Sequence, residues 1–174
     1  MTTITTARLT LRLACREDAA ALVLALNNLN VSRWTGRIPH PYGPEDAEAF
    51  LNHHLQPTPD ELMLMITRNG ELIGGIGVGF GELGYWLAEP QWGRGFGTEA
   101  ARAVTDHAFE TLHLEALHAS YHLGNTASRR ILLGLGFVEM GEGSAFSKAR
   151  QAEVPHMKLL LTREAWKNAR ERRE

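Results

Sequence analysis

Between Trp92 and Ala100 the chain reads W-G-R-G-F-G-T-E-A. Three glycines alternate with Arg94 and Phe96, and Thr98, Glu99 and Ala100 then open an alanine-rich helix. An apolar, aromatic run over residues 83–88 precedes them as a strand, which Pro90 ends. Strand, glycine loop and helix start make an anion site. Glycines let the backbone approach a ligand closely. The first N–H groups of a helix have no internal acceptor, and the helix dipole favours phosphate there.

Other chemistries fit less well. No G-K-S/T follows the glycines, so a Walker loop is excluded. Residues 79–84 spell G-x-G-x-x-G but run into another strand rather than a helix, which argues against a dinucleotide fingerprint. The eight histidines include no H-E-x-x-H and have no cysteine partners, and His53 and His54, adjacent on a helix, are expected to diverge, so no metal is predicted. No G-x-S-x-G elbow is present.

These residues need a scaffold. Residues 8–13 alternate polar and apolar as a first strand, and a helix runs from Arg16 through A-A-L-V-L-A-L-N-N. Residues 30–43 form an irregular connector, at once aromatic and cationic, broken by Pro39, Pro41 and Gly43. A second helix starts at Pro44, and residues 56–60 are a linker. Residues 61–67 and 71–78 are strands joined by the Asn69-Gly70 hairpin turn. After the long helix come a strand at 115–123, a helix from Thr126 and a short strand at 137–140. Residues 141–153 read as a loop and 154–161 as the last strand. Thr162 caps a final helix. The order predicts an α/β (α+β) fold, a central mixed twisted sheet of about seven strands with helices on both faces.

Composition agrees with one soluble globular domain: 174 residues, 44% hydrophobic and 22% charged, with a formal net charge of −2. No basic excess argues for nucleic acid, and no run approaches the length of a membrane span. Lone Cys15 excludes an intramolecular disulfide and suits a reducing, cytoplasmic compartment.

The glycine run resembles the acyl-CoA pyrophosphate loop of the GNAT N-acetyltransferases, Arg/Gln-x-x-Gly-x-Gly/Ala. Gly95 and Gly97 are its last two glycines, and Trp92 stands at the Arg/Gln position. W-G-x-G followed by T-E-A is similar to the Rim-type branch, the ribosomal-protein N-terminal acetyltransferases and their relatives. A second family pattern is met by Asn125, Ser128, Gly136 and Phe137, and R-L-x-L-R followed by E-D extends the likeness to the N-terminus. The resemblance therefore implies a single GNAT domain over residues 1–174.

What the resemblance implies is acetyl-CoA as donor and CoA as product, with direct transfer to a primary amine in a ternary complex. The acceptor is a protein N-terminus or a small-molecule amine; the alternative is a non-catalytic acyl-CoA-binding module. The backbone N–H groups of Gly93, Arg94, Gly95, Phe96, Gly97 and Thr98 would grip the donor. Its pantetheine arm would lie between the strands at 83–88 and 115–122, pairing with Leu87 and Ala88. Asn125 would bond the same arm, or only cap its own helix. Glu82 would be the general base; a solvated turn glutamate is the alternative. The family's acid tyrosine is replaced by Leu132; Ser128 is the Rim-type alternative, and water is the other. Trp34, Arg37 and Tyr42 of the connector, with Glu82 and Tyr121, would wall the acceptor, unless Trp34 plugs the core. Family members are often homodimers.

Overall fold

The computed structural model describes residues 2–55 and 58–172. Eight strands form one sheet in the order β1-β2-β3-β4-β5-β6-β8-β7. They are β1 (Thr3–Thr5), β2 (Thr10–Arg12), β3 (Glu61–Arg68), β4 (Glu71–Gly79), β5 (Glu82–Leu87), β6 (Ala116–His122), β7 (Val138–Ser147) and β8 (Ala152–Thr162). Every neighbouring pair is antiparallel except β5 and β6. The helices are α1 (Ala19–Leu26), α2 (Leu29–Ser32), α3 (Pro44–His54), α4 (Phe96–Glu110), α5 (Thr126–Leu135) and α6 (Arg163–Glu171).

Alternation along the strands divides the core in two. Leu83 of β5, Leu117, Ala119 and Tyr121 of β6, and Leu159 and Leu161 of β8 pack under α4, α5 and α6. The opposite face gives Met65 and Trp86 to a second cluster with Leu22, Leu26, Val31, Ala47 and Leu51 from α1–α3. The glycines of β4 serve close packing. Gly75 lies opposite Trp86, and a Cβ on it would stand 2.6 Å from the indole nitrogen. The second cluster takes no residue from β6 or β8, so that part of the face stays open.

Three expectations change. The N-terminus is a hairpin, because the Thr-rich segment before residue 8 pairs as β1 with β2. The first helix is interrupted: a 3-10 turn at Arg16–Asp18 leads into α1, which stops at Leu26, and Asn28 caps the separate α2. The supposed loop at 141–153 is mostly a long β7–β8 hairpin. It projects with little burial on either side of β7, so its residues carry no apolar alternation, and Gly141 stands beside a register shift. The linker at 56–60 lies partly outside the described residues. The Thr162 cap is present, its hydroxyl accepting from the Ala165 amide at 3.2 Å.

Candidate active site

The site begins where the sheet comes apart. β5 and β6 are paired only at Glu82–His118 and Leu83–Ala119, after which the two strands continue without pairing. Ala88 N–H donates to the Ile73 carbonyl at 2.9 Å. Backbone groups alternate in an antiparallel ladder, so residues 88, 86 and 84 turn theirs to β4 while Tyr85 and Leu87 turn theirs into the gap. Leu87 thus lies at the edge the sequence suggested, and Ala88 does not, since its amide belongs to β4. The Leu87 carbonyl accepts from the Trp92 indole at 2.9 Å, which leaves the Leu87 amide facing the gap.

The glycine loop stands at the mouth of this gap. Gly93 and Gly95 have φ of +71° and +81°, and left-handed Gly95 precedes the first residue of α4. The first amide of this stretch with an intrachain acceptor is that of Glu99, to the Gly95 carbonyl at 3.1 Å. Among the described residues the amides from Gly93 to Thr98 have none, as helix starts dictate. Arg8 braces the loop by donating to the Arg94 carbonyl (3.0 Å) and to Glu99 (2.6 Å). Burial tends to raise the Glu99 carboxyl, but the bonds from Thr6 and Arg8 hold it below its usual range. The Phe96 side chain is buried in the core, with the Arg8, Arg68 and Arg94 guanidiniums 4.6–5.2 Å from its ring centre. Gly97 sits close under α5: a Cβ there would approach Ile131 Cδ1 to 3.1 Å, a tight contact.

On the same face, α5 starts with Asn125 as its cap, whose Oδ1 accepts from the Ser128 amide at 3.1 Å. The capping role is therefore present, and the Nδ2 donors of Asn125 remain for a ligand. Ser128 Oγ lies 2.9 Å from the Tyr85 hydroxyl. Burial pushes the Tyr85 phenol up to about 12, against the pull of that bond, so it is a proton donor at neutral pH. Sequence reasoning missed Tyr85, although its hydroxyl is the only side-chain hydroxyl in the apolar run at 83–88. Leu132 is buried in the core and takes no part.

The other face of the gap belongs to Glu82. A cavity of about 250 Å³ there is lined by Glu82, His118, Ser120, His156 and Lys158. Glu82 Oε1 accepts from Ser120 Oγ at 3.1 Å. The carboxylate and the Tyr85–Ser128 pair thus stand on opposite faces of the sheet, with the unpaired gap between them. His118 and His122 share the Glu82 face, as strand alternation predicts. Burial pushes the His122 imidazole down, and the charge on Arg150 adds to this, so the ring is neutral.

The predicted acceptor wall separates. Trp34 is half-buried over Gly124, 3.6 Å from that glycine's added Cβ, at the end of β6. Arg37 is exposed in the same connector. Tyr42 is 4% exposed among α1–α3, a core residue whose phenol burial pushes up to about 12. Tyr121 belongs to the α4–α6 face, bonds Glu139 at 2.7 Å and does not reach the Glu82 side, because odd-numbered residues of β6 point away from it.

Two side issues close. Cys15 lies beside Asp18 and Arg12 in the first turn, and burial raises its thiol, so it offers no acyl-accepting thiolate. His53 and His54 do not diverge: their rings meet edge-on at 4.6 Å, and with Glu61 their ligand atoms lie within 4.8 Å of one another. This is the group among the described residues with metal-ligand geometry, on α3 and the start of β3 rather than at the gap. No helix among the described residues is long and apolar enough to cross a membrane.

The family described as "Acetyltransferase (GNAT) domain" matches residues 8–138. The uncharacterized N-acetyltransferase p20 of Bacillus licheniformis is 29% identical over 175 residues, covering 94% of this chain and 98% of that one. RimJ of Mycobacterium smegmatis in complex with CoA-disulfide superposes with a TM-score of 0.80 at 22% identity, covering 94% of this chain and 88% of that one. Spermidine N-acetyltransferase of Vibrio cholerae, in complex with CoA and spermine, does so with a TM-score of 0.78 at 21% identity, covering 94% and 100%.

Proposed function

The chain belongs to the GNAT acetyltransferase family, and we propose that it transfers the acetyl group of acetyl-CoA directly to a primary amine, in the manner of the Rim-type branch, in the cytoplasm. The observation that carries this reading is the unpaired β5–β6 gap, with free loop amides at its mouth on one face and a carboxylate on the other. The chain's residues fit the donor. Amides from Gly93 to Thr98 suit a pyrophosphate, Gly97 lets the start of α4 pack closely on Ile131 and Leu87, and Leu87 presents strand edge to the amides of a pantetheine arm.

Acetyl-CoA supplies an activated acyl group whose thiolate can leave. Glu82, on the open face, takes a proton from the acceptor ammonium, so that the amine attacks as the neutral base. The amine nitrogen bonds the acyl carbon as the carbon–sulfur bond breaks. Ser128 Oγ–H would give its proton to the departing sulfur and Tyr85, bonded to Ser128, would replace it; the attacking nitrogen sheds its remaining excess proton to water, from which Tyr85 is reprotonated. The Tyr85 N–H, the other β5 amide turned into the gap, orients and polarises the carbonyl. The acceptor is a protein N-terminus or a small-molecule amine.

Two measurements test this together: calorimetric titration with CoA and acetyl-CoA, and thiol release over a panel of amines. Tight CoA binding with turnover on at least one amine supports the reading. Binding without turnover on any amine, or no CoA binding, overturns it.

A further inference from the structure

At the end of the acceptor cavity, basic groups gather without a counter-charge. The guanidiniums of Arg33 and Arg150 both lie 5.1 Å from the Trp34 ring centre. Arg150 Nε donates to the Arg33 carbonyl at 2.9 Å, while its Nη2 is buried with no partner. His122 Nδ1 stands 3.3 Å from the same carbonyl, and His156 pairs with His122 across the sheet. His156 also lines the cavity that holds Glu82. None of the ion pairs among the described residues uses Arg33 or Arg150. Glu153, on the same hairpin, is held by Ser144 at 2.8 Å. Burial, with the Arg33 charge, pulls the Arg150 guanidinium below its ordinary value, as expected where an anion is missing.

Two arginines against one ring repel each other, and a buried guanidinium donor without an acceptor is costly. A carboxylate between them would relieve both, through charge-assisted bonds. The spacing limits what carries it. Glu82 is bonded to Ser120, and His122 lies two residues further along β6, or roughly 7 Å at ~3.3 Å per residue. The Arg33 carbonyl is 3.3 Å from His122 Nδ1, and Trp34, against which both guanidiniums lie, covers Gly124 two residues further on, so amine and carboxylate are about 7–13 Å apart, two to four residues at ~3.3 Å each. An α-amino acid holds its own carboxylate within about 4 Å of its nitrogen, which is too short, whereas each further residue adds up to ~3.6 Å.

We propose that Arg33, Arg150 and Trp34 form an anion pocket of the acceptor site, and that the acceptor is a peptide α-amine with a carboxylate side chain at its second or third residue. This rests on the acyl-transfer reading above for the position of the amine. Polyamines, which carry a cation at the far end, are disfavoured there.

The test is calorimetric titration of the full-length protein, with and without saturating CoA. The probes are C-terminally amidated tripeptides Ser-Glu-Ala, Ser-Gln-Ala and Ser-Lys-Ala, plus spermidine, free glutamate and inorganic phosphate. The glutamate peptide should bind about tenfold or more tighter than the glutamine peptide, and tighter still than the lysine peptide and spermidine. Arg150→Gln should bring the first two within about threefold. Exposed Arg33→Gln should reduce the same ratio, and replaces Arg150→Gln should that variant melt early. Equal binding of the glutamine, lysine or spermidine probes, or a preference unchanged in the arginine variants, overturns the pocket. Free glutamate binding as tightly as the tripeptide overturns the peptide assignment, and tighter phosphate binding overturns the carboxylate. A correct peptide ranking without CoA affinity would instead overturn the acyl-transfer reading alone.

Discussion

Replacing Gly95 by alanine isolates the glycine loop from the rest of the protein. Gly95 sits at φ +81°, where an L-residue is strained by roughly 1–2 kcal/mol. The new Cβ would meet Arg8 Nη2 at 3.2 Å, so the guanidinium that braces the loop through Arg94 and Glu99 must also give by a few tenths of an ångström. If the loop must hold this conformation to bind, relaxing the strain removes the binding shape. An energy of 1–2 kcal/mol then corresponds to about 5- to 30-fold weaker CoA binding. Gly70→Ala is the matched control. It has φ +83°, no atom within 4 Å of its added Cβ, and a place in the β3–β4 turn. Both variants should lower the melting temperature by roughly 2–8 °C. Calorimetric titration with CoA beside thermal melts separates them. Gly95→Ala should lose affinity, and Gly70→Ala should keep it. Equal affinities at equal loss of stability would mean that these amides do not hold the donor.

Three other outcomes follow from the same geometry. Glu82→Gln keeps the bond to Ser120 but cannot take a proton; steady-state kinetics should show kcat about 100-fold lower, with the KM for acetyl-CoA nearly unchanged. Tyr85→Phe removes one buried hydrogen bond to Ser128, worth about 0.5–1.5 kcal/mol, so kcat should fall some 2- to 12-fold, with Ser128→Ala losing at least as much. Asp18 is 4% exposed; burial raises its carboxyl, but bonds from Arg12 (2.7 and 2.9 Å) and the Cys15 amide outweigh this and hold it below 3.8. Its contribution is complete above the ordinary carboxylate range and is lost as pH falls through the depressed folded value. Asp18→Asn should therefore cost about 3 kcal/mol at pH 7 and flatten the acid limb of stability measured by urea melts from pH 6 to 2.

Much of the site was legible because it is local in sequence. The strand, the glycines from Gly93 to Gly97 and the helix start lie within twenty residues, and backbone chemistry alone leaves their amides without acceptors, the arrangement proposed above to hold a pyrophosphate. Asn125 and Ser128 share one helix entrance, where capping rules apply. Alternation put His118 and His122 on one face of β6 without knowledge of the fold. What stayed hidden depends on register and on distant partners. Ala88 is turned away from the gap because its amide pairs with Ile73, and Tyr121 because of the face β6 gives to the helices. Tyr85 meets Ser128 across 43 residues, and Arg150 meets Arg33 across 117. No periodicity within one segment encodes such meetings. They arise when strands β5 and β6 run parallel, part after two pairs, and let the β7–β8 hairpin carry its arginine back over the connector.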